Sequence, residues 1–293
     1  MSGPTSVIRY NKAHMELFLA SPLYLGYAFM LGVIVGSFLN VFIYRFHTGR
    51  SLSGHSHCLS CQMELRWYEL VPLVSYVTLR GRCRSCGSYI PPRYFLVELA
   101  TGCVFVLSAS YFETVWWQLS SALFLAVLIC ITVYDLYHTI IPDELTIALL
   151  VMAIMMVGIE AYIFGFWANI LAVGTSALLS GVAAAGPFFF LWVISKGRWI
   201  GLGDAKLAAP LGMVVGLEAV FSFIVLSFWI GAVISLVLIG LQHILMRGQM
   251  SLRIFGRPLT MKSEVPFAPF LILSFIITFF MDANVLSLLN YVI

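Results

Sequence analysis

Eight stretches of this chain carry almost no charge, and most approach the length at which a helix crosses a lipid bilayer. They lie near residues 22–46, 95–112, 116–134, 145–164, 167–194, 205–217, 219–246 and 266–290. A crossing helix needs about 20 apolar residues, because the hydrocarbon core holds no water to satisfy backbone N–H and C=O groups. Hydrophobic residues make up 61% of the 293 and charged ones 10%, a balance foreign to soluble domains of this length. The expected class is an all-α polytopic membrane protein of about eight transmembrane helices. The sixth stretch is short and marked by Gly and Pro, so a half-helix or a merger with the seventh is open. The first is too long for a cleavable signal peptide, and no small-residue cleavage site precedes a soluble domain, so it is expected to persist.

Lysine and arginine set the orientation. With eight crossings, one side holds Arg45, Arg50, Arg66, Arg80, Arg82, Arg84, Arg93, Lys196, Arg198, Lys206, Arg247, Arg253, Arg257 and Lys262, and the other only Arg9 and Lys12. Fourteen against two places the large loops in the cytoplasm and both termini outside. Seven crossings would break this agreement.

Two aspartates sit at the ends of apolar runs: Asp135 in Val133-Tyr134-Asp135-Leu136, and Asp204 in Gly201-Leu202-Gly203-Asp204-Ala205-Lys206. A carboxylate inside a membrane costs several kcal/mol unless function retains it. The topology closes the third helix at Asp135 and opens the sixth at Asp204, so the two share a depth. Paired carboxylates suit an aspartyl protease: one ionised member takes a proton from water while its protonated partner polarises the peptide carbonyl. The blander alternative is a pair of interfacial loop residues or a structural ion pair. The glycines before Asp204 let backbone approach a substrate. Lys206 is either a bias on the pair or an interfacial anchor. Glu98, early in the second helix, is either functional or snorkelling, and Asp143 after Pro142 is expected to cap the fourth helix.

The one sizeable polar stretch, 47–94, carries Cys58-Leu59-Ser60-Cys61 and Cys83-Arg84-Ser85-Cys86, separated by 21 residues. Four thiolates suit tetrahedral zinc, and each C-x2-C knuckle presents two sulfurs on one turn. Disulfides are disfavoured in a reducing cytoplasm, which leaves a redox dithiol as the alternative. A stretch this short has little core, so metal would supply much of its stability. His55 and His57 flank the first knuckle as substitute ligands, whereas Cys103 and Cys130 read as packing residues inside apolar runs. The division that follows is an N-terminal extracytoplasmic segment (1–21), a first transmembrane helix (22–46), a cytoplasmic Cys-rich zinc-binding domain (47–94) and a membrane-embedded aspartyl protease core (95–293).

These residues, taken together, resemble the bacterial type IV prepilin peptidases, which are leader peptidases and N-methyltransferases. The resemblance runs from about residue 30 to 275. It rests on Gly36-Ser37-Phe38-Leu39-Asn40-Val41 with Tyr44-Arg45, and on the paired knuckles with Arg80-Gly81-Arg82-Cys83 and Arg93-Tyr94 before Val97-Glu98. Asp135 with Ile141-Pro142-Asp143, the Gly201–Lys206 run, and Val265-Pro266-Phe267-Ala268-Pro269-Phe270 complete it. Trp199 and Ala268 stand where that family usually has Gly, Leu59 where it often has Pro, and Leu70 where it tends to have Asn. The last bears on methyl transfer more than on the peptidase.

The resemblance implies a multi-pass enzyme of the bacterial inner membrane. It would cut the basic leader of type IV prepilins or pseudopilins after Gly at the cytoplasmic face, with Asp135 and Asp204 as catalytic pair. It would then methylate the new N-terminal residue with S-adenosylmethionine, whose binding residues the resemblance does not identify. Zinc on Cys58, Cys61, Cys83 and Cys86 would be structural. The leader is basic, and Glu64, Glu69, Asp143 and Glu144 are the local acids available to it. A presenilin-like intramembrane protease without methyltransferase activity fits the two aspartate motifs but not the knuckles. A transporter with a carboxylate ion site is the alternative outside enzymes, although no internal repeat is evident. The arginine-rich stretch suits topology and anionic lipid rather than nucleic acid.

Overall fold

A computed structural model describes residues 21–46, 54–163, 170–247, 253–254, 257–258 and 266–281. The expected N-terminal segment with Arg9 and Lys12, as well as Arg50, Lys262 and Val265, lies outside the described residues. In chain order the elements are α1 (Pro22–Arg45), a 3-10 turn (Trp67–Leu70), α2 (Val74–Thr78), α3 (Arg93–Tyr111), α4 (Val115–His138) and α5 (Asp143–Ile163). They continue with α6 (Ile170–Ser195), α7 (Leu202–Val215), α8 (Val220–Arg247), two paired two-residue strands, β1 (Arg253–Ile254) and β2 (Arg257–Pro258), and α9 (Ala268–Met281).

Eight of these helices stand on the eight apolar runs, so the chain is an all-α membrane protein. By length and composition, six are able to cross a bilayer: α1, α3, α4, α5, α6 and α8. Of the other two, α7 has 14 residues, roughly 21 Å of helix against a core of about 30 Å, and α9 is described over the 14 residues Ala268–Met281. The sixth run does not merge with the seventh. Gly216, at φ +83°, ends α7 in the left-handed region, and α8 starts only at Val220. A residue with Cβ resists that conformation, which makes glycine the natural stop.

The chain divides into two compact units, the boundary falling within α4 between Cys130 and Ile131. In the first unit α1 packs along α3. Gly32 and Gly36 make this possible: a Cβ on Gly32 would lie 2.6 Å from the Thr101 carbonyl oxygen, and one on Gly36 2.8 Å from the Glu98 Cα. Helices in lipid gain little from hydrophobicity alone and associate through such close small-residue contacts. Cys130 is buried as expected, whereas Cys103 lies on an exposed face of α3.

In the second unit α7 is the hub. It touches α5, α6, α8 and α9, and its residues Leu207, Ala208 and Leu211 have no exposure. A short helix in contact with four others is held by neighbours rather than by lipid. Ser274 on α9 ties this cluster to α8 by donating to the Phe223 carbonyl at 2.6 Å. The tightest approach is at Gly212, where a Cβ would lie 2.3 Å from the Ala184 Cβ and 2.8 Å from the Ser180 carbonyl oxygen. Gly212→Val should therefore push α6 off α7 and cost about 1–3 kcal/mol, read as a lowered unfolding midpoint in detergent; an unchanged midpoint would refute the close packing.

Candidate active site

The second unit brings both aspartates to the starts and ends of four helices. Asp135 stands three residues before the end of α4, and Asp204 is the third residue of α7. Both are buried, at 5% and 8% exposure, and they interact electrostatically. Two carboxylates near each other away from water must share protons as one coupled system. Gly201 occupies the N-cap of α7, and its backbone N–H donates to Asp204 Oδ2 at 3.2 Å, so the acid satisfies one of the unpaired donors at the helix start.

Asp135 is held differently. The backbone N–H of Ala268, first residue of α9, donates to its carboxylate. Its Oδ2 is buried and without a hydrogen-bond partner among the described residues. An orphaned buried carboxylate oxygen is costly and calls for an explanation, of which a catalytic role is one. The loop between α4 and α5 closes the arrangement, since Ile141 packs on Gly203, where an added Cβ would lie 3.1 Å from the Ile141 Cβ.

The flanking charges depart from expectation. Asp143 does not cap α5: the Pro142 carbonyl accepts the first helical bond, from Thr146, and Asp143 is the first helical residue. Its carboxylate instead meets Lys206 Nζ at 2.7 Å. Lys206 thus pairs with Asp143, bracing the start of α5 against α7. Both side chains are substantially exposed, so the pair contributes at most about 1 kcal/mol. Glu160, half-buried near the end of α5, is an acid in an apolar run that the sequence reading passed over.

The four cysteines form a separate centre in the first unit. Their sulfurs all lie within 4.8 Å of one another, a cluster able to hold a metal ion. The two knuckles share one local geometry. Cys58 N–H donates to the Met63 carbonyl at 2.9 Å, and Cys83 N–H to that of Ser88 at 2.8 Å. In each, the residue after the second cysteine is left-handed: Gln62 at φ +61° and Gly87 at φ +70°. Backbone N–H groups of Cys61 and Ser60 lower the Cys58 thiol to about 6, and the Ser88 hydroxyl lowers Cys86. At Cys61 the Met63 N–H favours the thiolate, but desolvation and the sulfurs of Cys58 and Cys86 outweigh it and push the thiol up to about 11. Adjacent thiolates resist ionising together, and a divalent cation relieves that repulsion.

The histidines are turned to other work. His55 Nδ1 pairs with Glu64 at 2.8 Å, and His57 Nδ1 lies 3.2 Å from the His55 carbonyl oxygen. Glu69 caps the 3-10 turn by accepting from the Arg66 N–H at 2.9 Å. Glu98 is not snorkelling: half-buried on α3, it accepts the Leu73 N–H at 2.8 Å, with the Ser37 and Asn40 side chains beside it. Ser37 and Asn40 of α1 and the Leu73 backbone therefore converge on the one carboxylate of Glu98, a grouping that no local sequence spacing announces.

Two family models match the chain. The Bacterial Peptidase A24 N-terminal domain covers residues 30–112, and the Type IV leader peptidase family covers residues 122–236. A Neisseria gonorrhoeae protein called prepilin leader peptidase/N-methyltransferase is 31% identical over 76% of this chain and 85% of its own length. A protein of that name from Burkholderia pseudomallei strain 1026b is 31% identical, over 84% of this chain and 82% of its own. One from Myxococcus xanthus is 30% identical over 74% of this chain, which spans 64% of that relative's length. No solved structure matches. The aspartate-bearing unit, the knuckle-bearing unit and these relatives together lead to one conclusion: the chain belongs to the type IV leader peptidase family.

Proposed function

We propose that this protein is a membrane aspartyl endopeptidase that removes the leader of type IV prepilins or pseudopilins and then N-methylates the newly exposed residue. The observation that carries the first activity is the buried pair Asp135 and Asp204, with one oxygen of Asp135 left unpartnered among the described residues. In this reading the ionised member takes a proton from the attacking water, and the protonated member donates to the scissile carbonyl. The Ala268 and Gly201 N–H groups orient the two carboxylates. The relatives' shared name supports prepilins as the substrates, and cleavage after Gly follows from the family resemblance.

The asymmetry of fourteen lysines and arginines against two supports an inner-membrane protein with its large cysteine-bearing loop, residues 47–94, in the cytoplasm. It equally supports cleavage at the cytoplasmic face. The apolar runs support the bilayer as the setting in which a substrate's apolar stem reaches the aspartates. The presenilin-like and transporter readings find no comparable support.

Zinc is the metal that four thiolates suit best, and the clustered sulfurs fit it. Bound there, it would tie the two knuckles together. S-adenosylmethionine would supply an electrophilic methyl group to the new amine, a reaction that asks the protein for positioning rather than water activation.

Two measurements test this reading. Asp135→Asn and Asp204→Asn should each lower cleavage of a prepilin leader peptide by at least about 100-fold while the protein still reaches the membrane. Near wild-type cleavage by either variant would remove that residue from the pair. Reduced, freshly purified protein should carry zinc, and Cys58→Ser or Cys83→Ser should lose most of it, because three thiolates leave the site open and weaker. Elemental analysis without zinc would favour the dithiol instead.

A further inference from the structure

The knuckle-bearing unit encloses a cavity of about 670 Å³, well inside the range of roughly 300–1,000 Å³ typical of small-molecule sites. Its walls come from three places. Ser37, Asn40 and Arg45 contribute from α1, Tyr94 and Glu98 from α3, and Cys58, Cys83 and Ser88 from the knuckles. The metal centre and the cavity therefore share a wall.

Its chemistry is mixed. Two guanidiniums, Arg84 and the buried Arg45, and two carboxylates, Glu69 and Glu98, line a space also bounded by the rings of Tyr44, Tyr76 and Tyr94. An apolar peptide stem would find four charged groups to desolvate here. A zwitterion with a flat heterocycle finds partners for both signs and rings to lie against.

A strained turn abuts the same carboxylate. Leu73 has φ +59° and ψ −49°, and the Val74 N–H donates back to the Pro72 carbonyl at 2.6 Å. This is the rare form of the three-residue turn, costly for a branched residue. Glu98 pins it by accepting the Leu73 N–H at 2.8 Å. A carboxylate has about four lone-pair positions; the Leu73 N–H and the Ser37 and Asn40 side chains take three of them, and the remaining one is open to a ligand.

We propose that this cavity is the S-adenosylmethionine site. Glu98 faces the cationic sulfonium and ammonium end of the donor, Arg45 its carboxylate, and the tyrosine rings its adenine. The assignment rests on the methyl-transfer reading above and gives it a location. On this assignment the knuckles build one wall of the donor site.

The test measures binding on full-length protein in detergent. Isothermal titration with S-adenosylmethionine gives the affinity of the wild type and of Glu98→Gln, with unfolding temperature and zinc content showing that the variant keeps its fold. Glu98→Gln should weaken binding at least about ten-fold, as expected for a lost charged hydrogen bond. Ultraviolet cross-linking with methyl-labelled donor, mapped by peptide, needs no variant and should mark residues between Ser37 and Glu98. Wild-type protein that binds no donor would overturn the methyl-transfer reading and this site together. Wild-type binding with Glu98→Gln unaffected, or label confined to residues after Ile131, would overturn the site alone.

Discussion

Moving a carboxylate out of water costs far more than any single contact in a helix bundle returns, and the arrangement of the second unit follows from that cost. Asp135 and Asp204 are tolerable only because backbone donors reach them, from Ala268 at the start of α9 and from Gly201 at the start of α7. Free N–H groups exist at helix starts and nowhere else in a helix. The site therefore has to be built where helices begin, and α7 and α9, which both begin inside the protein, provide that. Where these two helices start is thus part of the chemistry.

Much of this was legible in the chain. Eight apolar runs announced eight helices, because a bilayer punishes every unpaired backbone group and leaves long helices as the simple solution. The two aspartates stood out for the same reason, as charges where charge is expensive. The paired C-x2-C spacing announced the sulfur cluster, since two such turns bring four sulfurs to one metal-sized site.

Partners distant in sequence were not legible. Lys206 and Asp143 are 63 residues apart, and nothing local to either names the other. The expectation that Asp143 caps α5 failed because Pro142, having no N–H to donate, already occupies the cap and offers its carbonyl instead. Glu98 looked like an interfacial acid because its donor, the N–H of Leu73, belongs to a backbone turn of a kind that no side-chain pattern encodes. Glu160 escaped notice by sitting near the end of a run whose mean hydropathy it barely lowers. In each case the deciding quantity was a tertiary neighbour.

The matched geometry of the two knuckles has a consequence for how this part of the chain is assembled. Each turn, with its left-handed fifth residue at Gln62 or Gly87, presets two sulfurs before any metal arrives. The unit is in effect two bidentate chelators on a tether of 21 residues. Once one half has captured an ion, the other meets it at the high effective concentration that a short tether confers. The ion then acts as a reversible staple, and the α1–α3 pair, already locked by its glycines, needs no such help. Metal supply would thus govern the order of the loop while leaving the two helices that flank it in place.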